Sequence, residues 1–377
     1  MKKINVEDAV GMELCHDITA IRDGFKGAEF KRGHIITEED IPRLLNLGKK
    51  QIFVWEENAG EIHEEESAIR LAAMAPVNGA EWTGPSEGKM MLTAKQRGMF
   101  RVDKDLLAAV NSIGDITFTT IADHYPVEEG DRLASVRIVP LVTKEEQIIE
   151  AEKLCKDKAL LALRPYKNMR VGIIITGSEI YNGRIKDKFE PVIRAKLTKY
   201  PAEVLGVTIC DDDLDMIIAA SKTFMEQGAD LLIYSGGMSV DPDDLTPTAM
   251  RQLADHFVTQ GVPSQPGNMT TIAYCGDVVL TGVPSAAISQ PTTVLDALLP
   301  QIFAGDRFTK EELMRLGDGG LCMQCKPCHF PCCPYGKYYD ERFLWKGNYI
   351  FTVIRYRPVQ SALPLLHAGR RRLQTDA

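Results

Sequence analysis

Two stretches of this sequence concentrate residues able to do chemistry. The first is Tyr234-Ser-Gly-Gly-Met-Ser-Val-Asp-Pro-Asp-Asp244, a double glycine followed by three aspartates within four positions. Glycines leave backbone N–H groups open to a flat or oxygen-bearing ligand, and Ser235 and Ser239 add hydroxyls suited to phosphate oxygens. Asp241, Asp243 and Asp244 beside such a pocket suggest Mg²⁺ held jointly by carboxylate and substrate oxygens. One carboxylate near a helix start satisfies the helix dipole, so capping of a helix that begins at Thr246-Pro247 does not explain three acids. The second stretch is Cys322-Met-Gln-Cys325-Lys-Pro-Cys328-His-Phe-Pro-Cys332-Cys333-Pro334, with the spacing C-x2-C-x2-C-x3-C. That is nearly the cysteine run of bacterial ferredoxins, with one extra cysteine ahead of the proline. Zinc takes four thiolates equally well, so an iron–sulfur cluster and Zn²⁺ both stay open. Cys322, Cys325 and Cys328 are the clear ligands. The fourth is Cys332 by spacing or Cys333 by its neighbouring proline, with His329 as a lesser substitute.

Three further small-residue loops accompany the double glycine. Thr176-Gly177-Ser178-Glu179 leaves turn N–H groups and hydroxyls open, while Pro266-Gly267 and Val283-Pro284-Ser285 are glycine- or serine-bearing proline turns. Each alone reads as an ordinary turn. Together, at the ends of strands in one sheet, they would converge on one cleft. Asp187 and Glu190 have capping-box spacing, and Asp211-Asp-Asp213 reads as the cap of the next helix.

The elements that must position these loops are readable between 166 and 305. Met169-Arg-Val-Gly-Ile-Ile-Ile175 is the continuous apolar run of a strand buried on both faces. A helix near 188–199, a strand 203–209, a helix 213–227 and a strand 230–234 follow. A helix at 246–257, strands near 261–274 and 277–281, and a helix 286–301 complete the series. This alternation predicts a mostly parallel sheet with helices on both faces, and ligands beyond the carboxyl ends of its strands. The fold class expected is therefore α/β, a three-layer αβα domain with a smaller mixed α+β region before it. Domain boundaries are expected at 1–60 (mixed α+β), 61–142 (β-rich), 143–165 (a linker helix), 166–305, 306–337 (the cysteine segment) and 338–377 (an irregular tail).

A length of 377 residues suits two or three domains. No apolar run approaches the ~20 residues that span a bilayer. The opening Met1-Lys-Lys-Ile-Asn-Val-Glu lacks the apolar run of a secretion signal, so a cytoplasmic location is expected. A net charge of −8 argues against a nucleic-acid partner. The isolated Cys15, Cys155, Cys210 and Cys275 read as reduced, mostly buried thiols, which leaves metal rather than disulfides for the clustered five.

The loops resemble those of the molybdenum-cofactor biosynthesis fold that binds molybdopterin. Its TG-acid element looks like Thr176–Glu179, its G-x-I-x-D element like Gly183-Arg-Ile-Lys-Asp187, and its double-glycine loop like Ser235–Val240. Pro242-Asp-Asp-Leu-Thr-Pro247 is closest to the P-x-D-x-T-P stretch of molybdopterin adenylyltransferases. The opening Ala9-Val-Gly-Met-Glu-Leu-Cys-His-Asp-Ile18 and the length are similar to molybdopterin molybdenumtransferases. The resemblance is specific over roughly 165–305 and loose over 1–150.

This resemblance implies that Asp187 and Asp244 are functional carboxylates acting with Mg²⁺ or molybdate, and that the glycine, Ser and Thr loops grip the pterin phosphate. It implies molybdate insertion into adenylylated molybdopterin with release of AMP, molybdenum enzymes as recipients, and a homo-oligomer. The chain departs from the family in two places. Lys188-Phe189 follow Asp187 where the transferases have Ser-Asn, and Val283-Pro-Ser-Ala-Ala287 replaces an L-P-G-N-P loop. A carrier that kept the pocket without the chemistry is thus one alternative, and a redox-responsive regulator using the cysteines is another.

Overall fold

The apolar run Val171–Ile175 forms the heart of a six-stranded sheet, as buried β-branched residues favour. The computed structural model describes residues 1–22, 25–56, 58–239 and 241–337. The sheet order is Ala202–Cys210, Met169–Thr176, Leu231–Ser235, Val278–Val283, Thr271–Cys275, His256–Gln260. The first four strands run parallel and the last two pair antiparallel. Helices Phe189–Leu197 and Val294–Ala304 pack on one face through Ile193, Leu197, Leu298 and Ile302. Helices Leu214–Glu226 and Thr246–Leu253 pack on the other through Ile217, Phe224, Ala249 and Met250. The expected three-layer αβα architecture with a mostly parallel sheet is the one observed. Three details differ: helix 246–257 stops at Leu253, giving way to an edge strand; the strand expected near 261–274 forms only over Thr271–Cys275; and helix 286–301 is two pieces, Ala286–Ser289 and Val294–Ala304. Pro291 falls between the pieces, where a missing N–H suits a break.

Residues 1–56 form a small mixed body. Strands Lys2–Asn5 and Gln51–Val54 pair, and helix Asp40–Asn46 buries Leu44 against Val6, Leu14 and Ile36. Thr37 donates its N–H and hydroxyl to the Asp40 carboxylate at 3.0 and 2.8 Å.

The β-rich region holds a four-stranded antiparallel sheet and a three-stranded one around a core that includes Leu71, Leu92, Phe100, Phe118 and Val136. Helix Glu145–Cys155, read from the sequence as a linker running to Leu163, ends early and belongs to this core through Ile148, Ala151 and Cys155. The chain then adds strand Leu161–Pro165 to the three-stranded sheet beside Gly98–Val102. Among the described residues no helix is long and apolar enough to cross a membrane. The tail expected over 338–377 lies outside the described residues.

Candidate functional site

Parallel pairing sets the site. Thr176 lies opposite Cys210, Ile175 opposite Ser235, and Ser235 opposite Val283, so these strands finish on one edge. Thr271 pairs with Gly282, which brings the turn before it, Pro266–Thr270, to the same edge. The expected convergence of the loops at one end of the sheet is therefore present.

Its centre is a knot of three loops. Thr176 is buried, and its hydroxyl lies 3.0 Å from that of Thr246, which donates to the Gly236 carbonyl at 3.0 Å. Gly236 has φ +92°, and a Cβ there would fall 2.0 Å from the Thr176 carbonyl oxygen. Gly237 has φ +52°, and its Cβ would lie 2.9 Å from Thr246 Oγ1 and 3.7 Å from Asp244 Cα. Loop-to-loop closeness and backbone conformation, rather than ligand approach alone, require both glycines. Ser235 is buried with its hydroxyl 3.5 Å from the Val283 carbonyl, whereas Ser239 is exposed.

Ser178 turns toward the neighbouring strand end. Its N–H donates to the Asp212 carboxylate at 2.9 Å, and its hydroxyl donates to Asp211. The Ser178 hydroxyl, then the Asp212 N–H, hold the Asp211 carboxyl below its ordinary range. Only Asp213 caps the following helix, accepting from the Met216 N–H at 2.8 Å. Asp211 and Asp212, read from the sequence as caps, instead occupy the donors that an incoming anion would need. Adjacent Gly177 has φ +139° with open space around it, and Glu179 is exposed.

The two expected functional carboxylates are differently employed. Asp187 accepts from the Phe189 N–H at 2.8 Å with one oxygen and from the Glu190 N–H at 2.9 Å with the other, so it caps helix Phe189–Leu197. Asp244 sits in the knot and accepts from the Asp241 N–H at 3.1 Å. Among the described residues no group of three or more His, Cys, Asp or Glu is set to hold a metal. These bonds leave further lone pairs on both carboxylates, and the Asp241 N–H engages only one oxygen of Asp244.

The remaining loop residues serve helix starts. Pro266 offers its carbonyl to the Val294 N–H at 3.1 Å, and a Cβ on Gly267 would lie 3.3 Å from that same nitrogen. Pro284 and Ser285 open the short helix Ala286–Ser289.

The five clustered cysteines are free thiols, none fully buried, and the structure does not gather them into one centre. Cys332 Sγ accepts from the Tyr125 hydroxyl at 3.0 Å, and Cys328 Sγ lies 3.1 Å from Thr292 Oγ1. The Thr292 hydroxyl, then the Phe330 N–H, hold the Cys328 thiol below its ordinary range. Cys15, Cys155 and Cys210 are buried as expected, and burial pushes the Cys210 thiol up to about 11.

A cavity of about 480 Å³ lies elsewhere, lined by Tyr125, Tyr166, Tyr200, Phe330 and Lys199 among others. Tyr166 and Tyr200 precede Met169 and Ala202, so it adjoins the amino ends of those strands, opposite the glycine loops. Sequence reading misses it because its walls come from several stretches far apart in the chain, with no local pattern.

Residues 172–301 match the family described as "Probable molybdopterin binding domain", and residues 3–56 match a "Domain of unknown function (DUF8806)". The chain is 40% identical over 77 residues to a CinA-like protein of Mycobacterium tuberculosis, which is 20% of this chain and 18% of that protein. It is 30% identical over 137 residues to a CinA-like protein of Mycolicibacterium gilvum, 36% of this chain and 31% of that one. The chain thus spans less than a third of the length of these curated relatives. Among solved structures, the molybdopterin biosynthesis enzyme MoaB of Thermus thermophilus aligns at 24% identity, covering 37% of this chain and 99% of that one, with a TM-score of 0.32. Residues 172–301 are a molybdenum-cofactor-biosynthesis-type domain carried within a longer chain.

Proposed function

We propose that the glycine-loop edge binds molybdopterin, and that the chain is a molybdopterin molybdenumtransferase-like enzyme inserting molybdate into the adenylylated pterin. The observation that carries this reading is the knot of Thr176, Gly236, Gly237 and Thr246 at the carboxyl ends of the strands, where open sheets of this type take their ligands. Gly177 and Ser178 supply the phosphate donors once the anion displaces the carboxylates of Asp211 and Asp212. Gly236, Gly237 and Ser239 present the second loop to the pterin. Pro266, Gly267, Pro284 and Ser285 form the flanking walls.

Molybdate is a substrate in this reaction. The two pterin dithiolene sulfurs bind molybdenum as one molybdate oxygen leaves with the two thiol protons as water, and a second water cleaves the pyrophosphate bond to release AMP. The chain contributes chiefly positioning of two anions that repel each other in water. When bound, Mg²⁺ would be held by the carboxylates of Asp187 and Asp244 together with substrate oxygens and would offset phosphate charge. Delivery to molybdenum enzymes, self-association and a cytoplasmic location belong to the same proposal.

A second reading, a carrier without turnover, is favoured by one observation: both oxygens of Asp187 accept N–H bonds from the start of the helix it caps. Anaerobic titration with adenylylated molybdopterin and molybdate separates the two. Release of AMP with molybdenum in the pterin supports the enzyme. Pterin binding with neither product supports the carrier, and no binding refutes both.

A further inference from the structure

The segment after helix Lys310–Arg315 has fixed ends and an open middle. At its start, Gln265 and Leu321 form a bridge, with Gln265 N–H to Gly320 O at 2.7 Å and Cys322 N–H to Gln265 O at 2.8 Å. At its end, Tyr335 is buried with its hydroxyl 3.3 Å from Ser264 Oγ, and a Cβ on Gly336 would fall 2.5 Å from that of Ala297. Between these anchors residues 322–334 form no helix or strand, and Met323 is 82% exposed. Apolar burial therefore does little to offset the entropy of ordering this loop. Short segments of this kind are usually held by a metal or by disulfides, and its five cysteines are free thiols.

Two hydroxyls and one ammonium are aimed at the loop from within the fold. Tyr125 donates to Cys332 Sγ at 3.0 Å, and Thr292 Oγ1 lies 3.1 Å from Cys328 Sγ. Hydrogen bonds of this kind favour the thiolate and tune metal–sulfur centres. Lys337 is 7% exposed, yet its ammonium bonds the carbonyls of Pro331 and Cys333, each at 2.5 Å, and lies 4.2 Å from the centre of the Tyr125 ring. A buried cation is stabilised by negative charge close by, which a set of thiolates supplies.

We propose that Cys322, Cys325, Cys328 and Cys332 form a four-thiolate centre for a soft metal, taking a cubane iron–sulfur cluster or zinc, with Tyr125, Thr292 and Lys337 as its supports. The spacing C-x2-C-x2-C-x3-C is compatible with either chemistry. The thiols are not at ligating positions in the structure, so the loop closes around the metal on loading. Zinc, or a cluster transferred already assembled, is taken up by ligand exchange in which each ligating thiol gives its proton to solvent and no net electron transfer occurs. Cys333 is left as a fifth, non-ligating thiol. This inference does not depend on the pterin reading, since none of these residues belongs to the glycine-loop edge.

The test is metal and acid-labile sulfide analysis of the full chain purified without oxygen, with its visible spectrum. About four iron and four sulfide per chain with charge-transfer absorbance identifies the cluster, and about one zinc with no colour identifies the zinc form; either supports the centre. Cys325→Ala and Cys328→Ala, at exposed positions, lower bound metal at least tenfold while far-ultraviolet circular dichroism stays unchanged; Cys275→Ala, outside the run, retains it. Tyr125→Phe keeps the metal and shifts the thiolate-to-metal absorption. A wild-type chain with neither metal, or a Cys325→Ala chain with full metal, overturns the proposal. Metal lost in Cys333→Ala and kept in Cys332→Ala overturns the assignment of the fourth ligand.

Discussion

The hydroxyl of Thr176 lies 3.0 Å from that of Thr246, joining a strand end to a helix start seventy positions apart in sequence. Thr246 also donates to the Gly236 carbonyl, so one side chain fixes both glycine-bearing loops. Thr246→Val keeps the shape and removes the hydroxyl, leaving buried polar groups unpaired at a cost of about 1–3 kcal/mol. Denaturant unfolding measures that loss. Molybdopterin affinity should fall with it even where the variant remains folded.

Gly236→Ala tests the same knot by crowding. The added methyl would meet the Thr176 carbonyl at 2.0 Å, on a backbone with φ +92°. We expect a loss of about 2–3 kcal/mol, read as a lower denaturation midpoint with an unchanged slope.

Asp187 separates structure from chemistry. Asp187→Ala removes a cap that meets two N–H groups and should cost about 1 kcal/mol. Asp187→Asn retains an accepting oxygen and should keep most of that stability. On the enzyme reading, Asp187→Asn abolishes AMP release and keeps pterin affinity. Unchanged AMP release in this variant would leave Asp187 a cap and nothing more.

Acid stability should report Asp123 in the β-rich region. Burial raises its carboxyl, but the hydrogen bond from His124, helped by the Val102 N–H and Arg101, overrides this and lowers it from 3.8 to about 2. A folded value below the unfolded one stabilises above the unfolded value, and that stability disappears as pH falls through the folded one. The contribution is roughly 2 kcal/mol at neutral pH, lost between about pH 4 and 2. Asp123→Asn should remove that acid-sensitive component of unfolding, measured by urea titration across the window.

The buried pair Lys196–Asp296, with Nζ 2.7 Å from Oδ2, ties helix Phe189–Leu197 to the start of Val294–Ala304. Lys196→Met leaves Asp296 without its cation and should destabilise by about 3 kcal/mol. Lys196→Met combined with Asp296→Asn should be less damaging than the sum of the singles, which a double-mutant cycle reads directly.

Much of the α/β domain is legible in the sequence because its signals are local. A run such as Val171–Ile175 permits little but a doubly buried strand, and helices between such strands dictate parallel pairing. The convergence of the loops follows from that topology alone. Side-chain partners are not legible. Nothing in Asp211-Asp-Asp213 distinguishes the acid that caps a helix from the two that reach Ser178, since the difference is set by the neighbouring strand. Helix Glu145–Cys155 reads as a linker because its apolar stripe gives no address for what it packs against. Lys196 carries no local sign of burial, and only the position of Asp296 one hundred residues later explains it.

The central claim, that molybdopterin binds at the glycine-loop edge, is tested most directly by calorimetric titration of the full chain with molybdopterin in two single variants. Ser178→Ala removes a hydroxyl at that edge, whereas Lys199→Ala alters the separate aromatic cavity. The account predicts about tenfold weaker binding for Ser178→Ala, the loss of one hydrogen bond to a charged group, and wild-type binding for Lys199→Ala. Full affinity in Ser178→Ala with affinity lost in Lys199→Ala would contradict it.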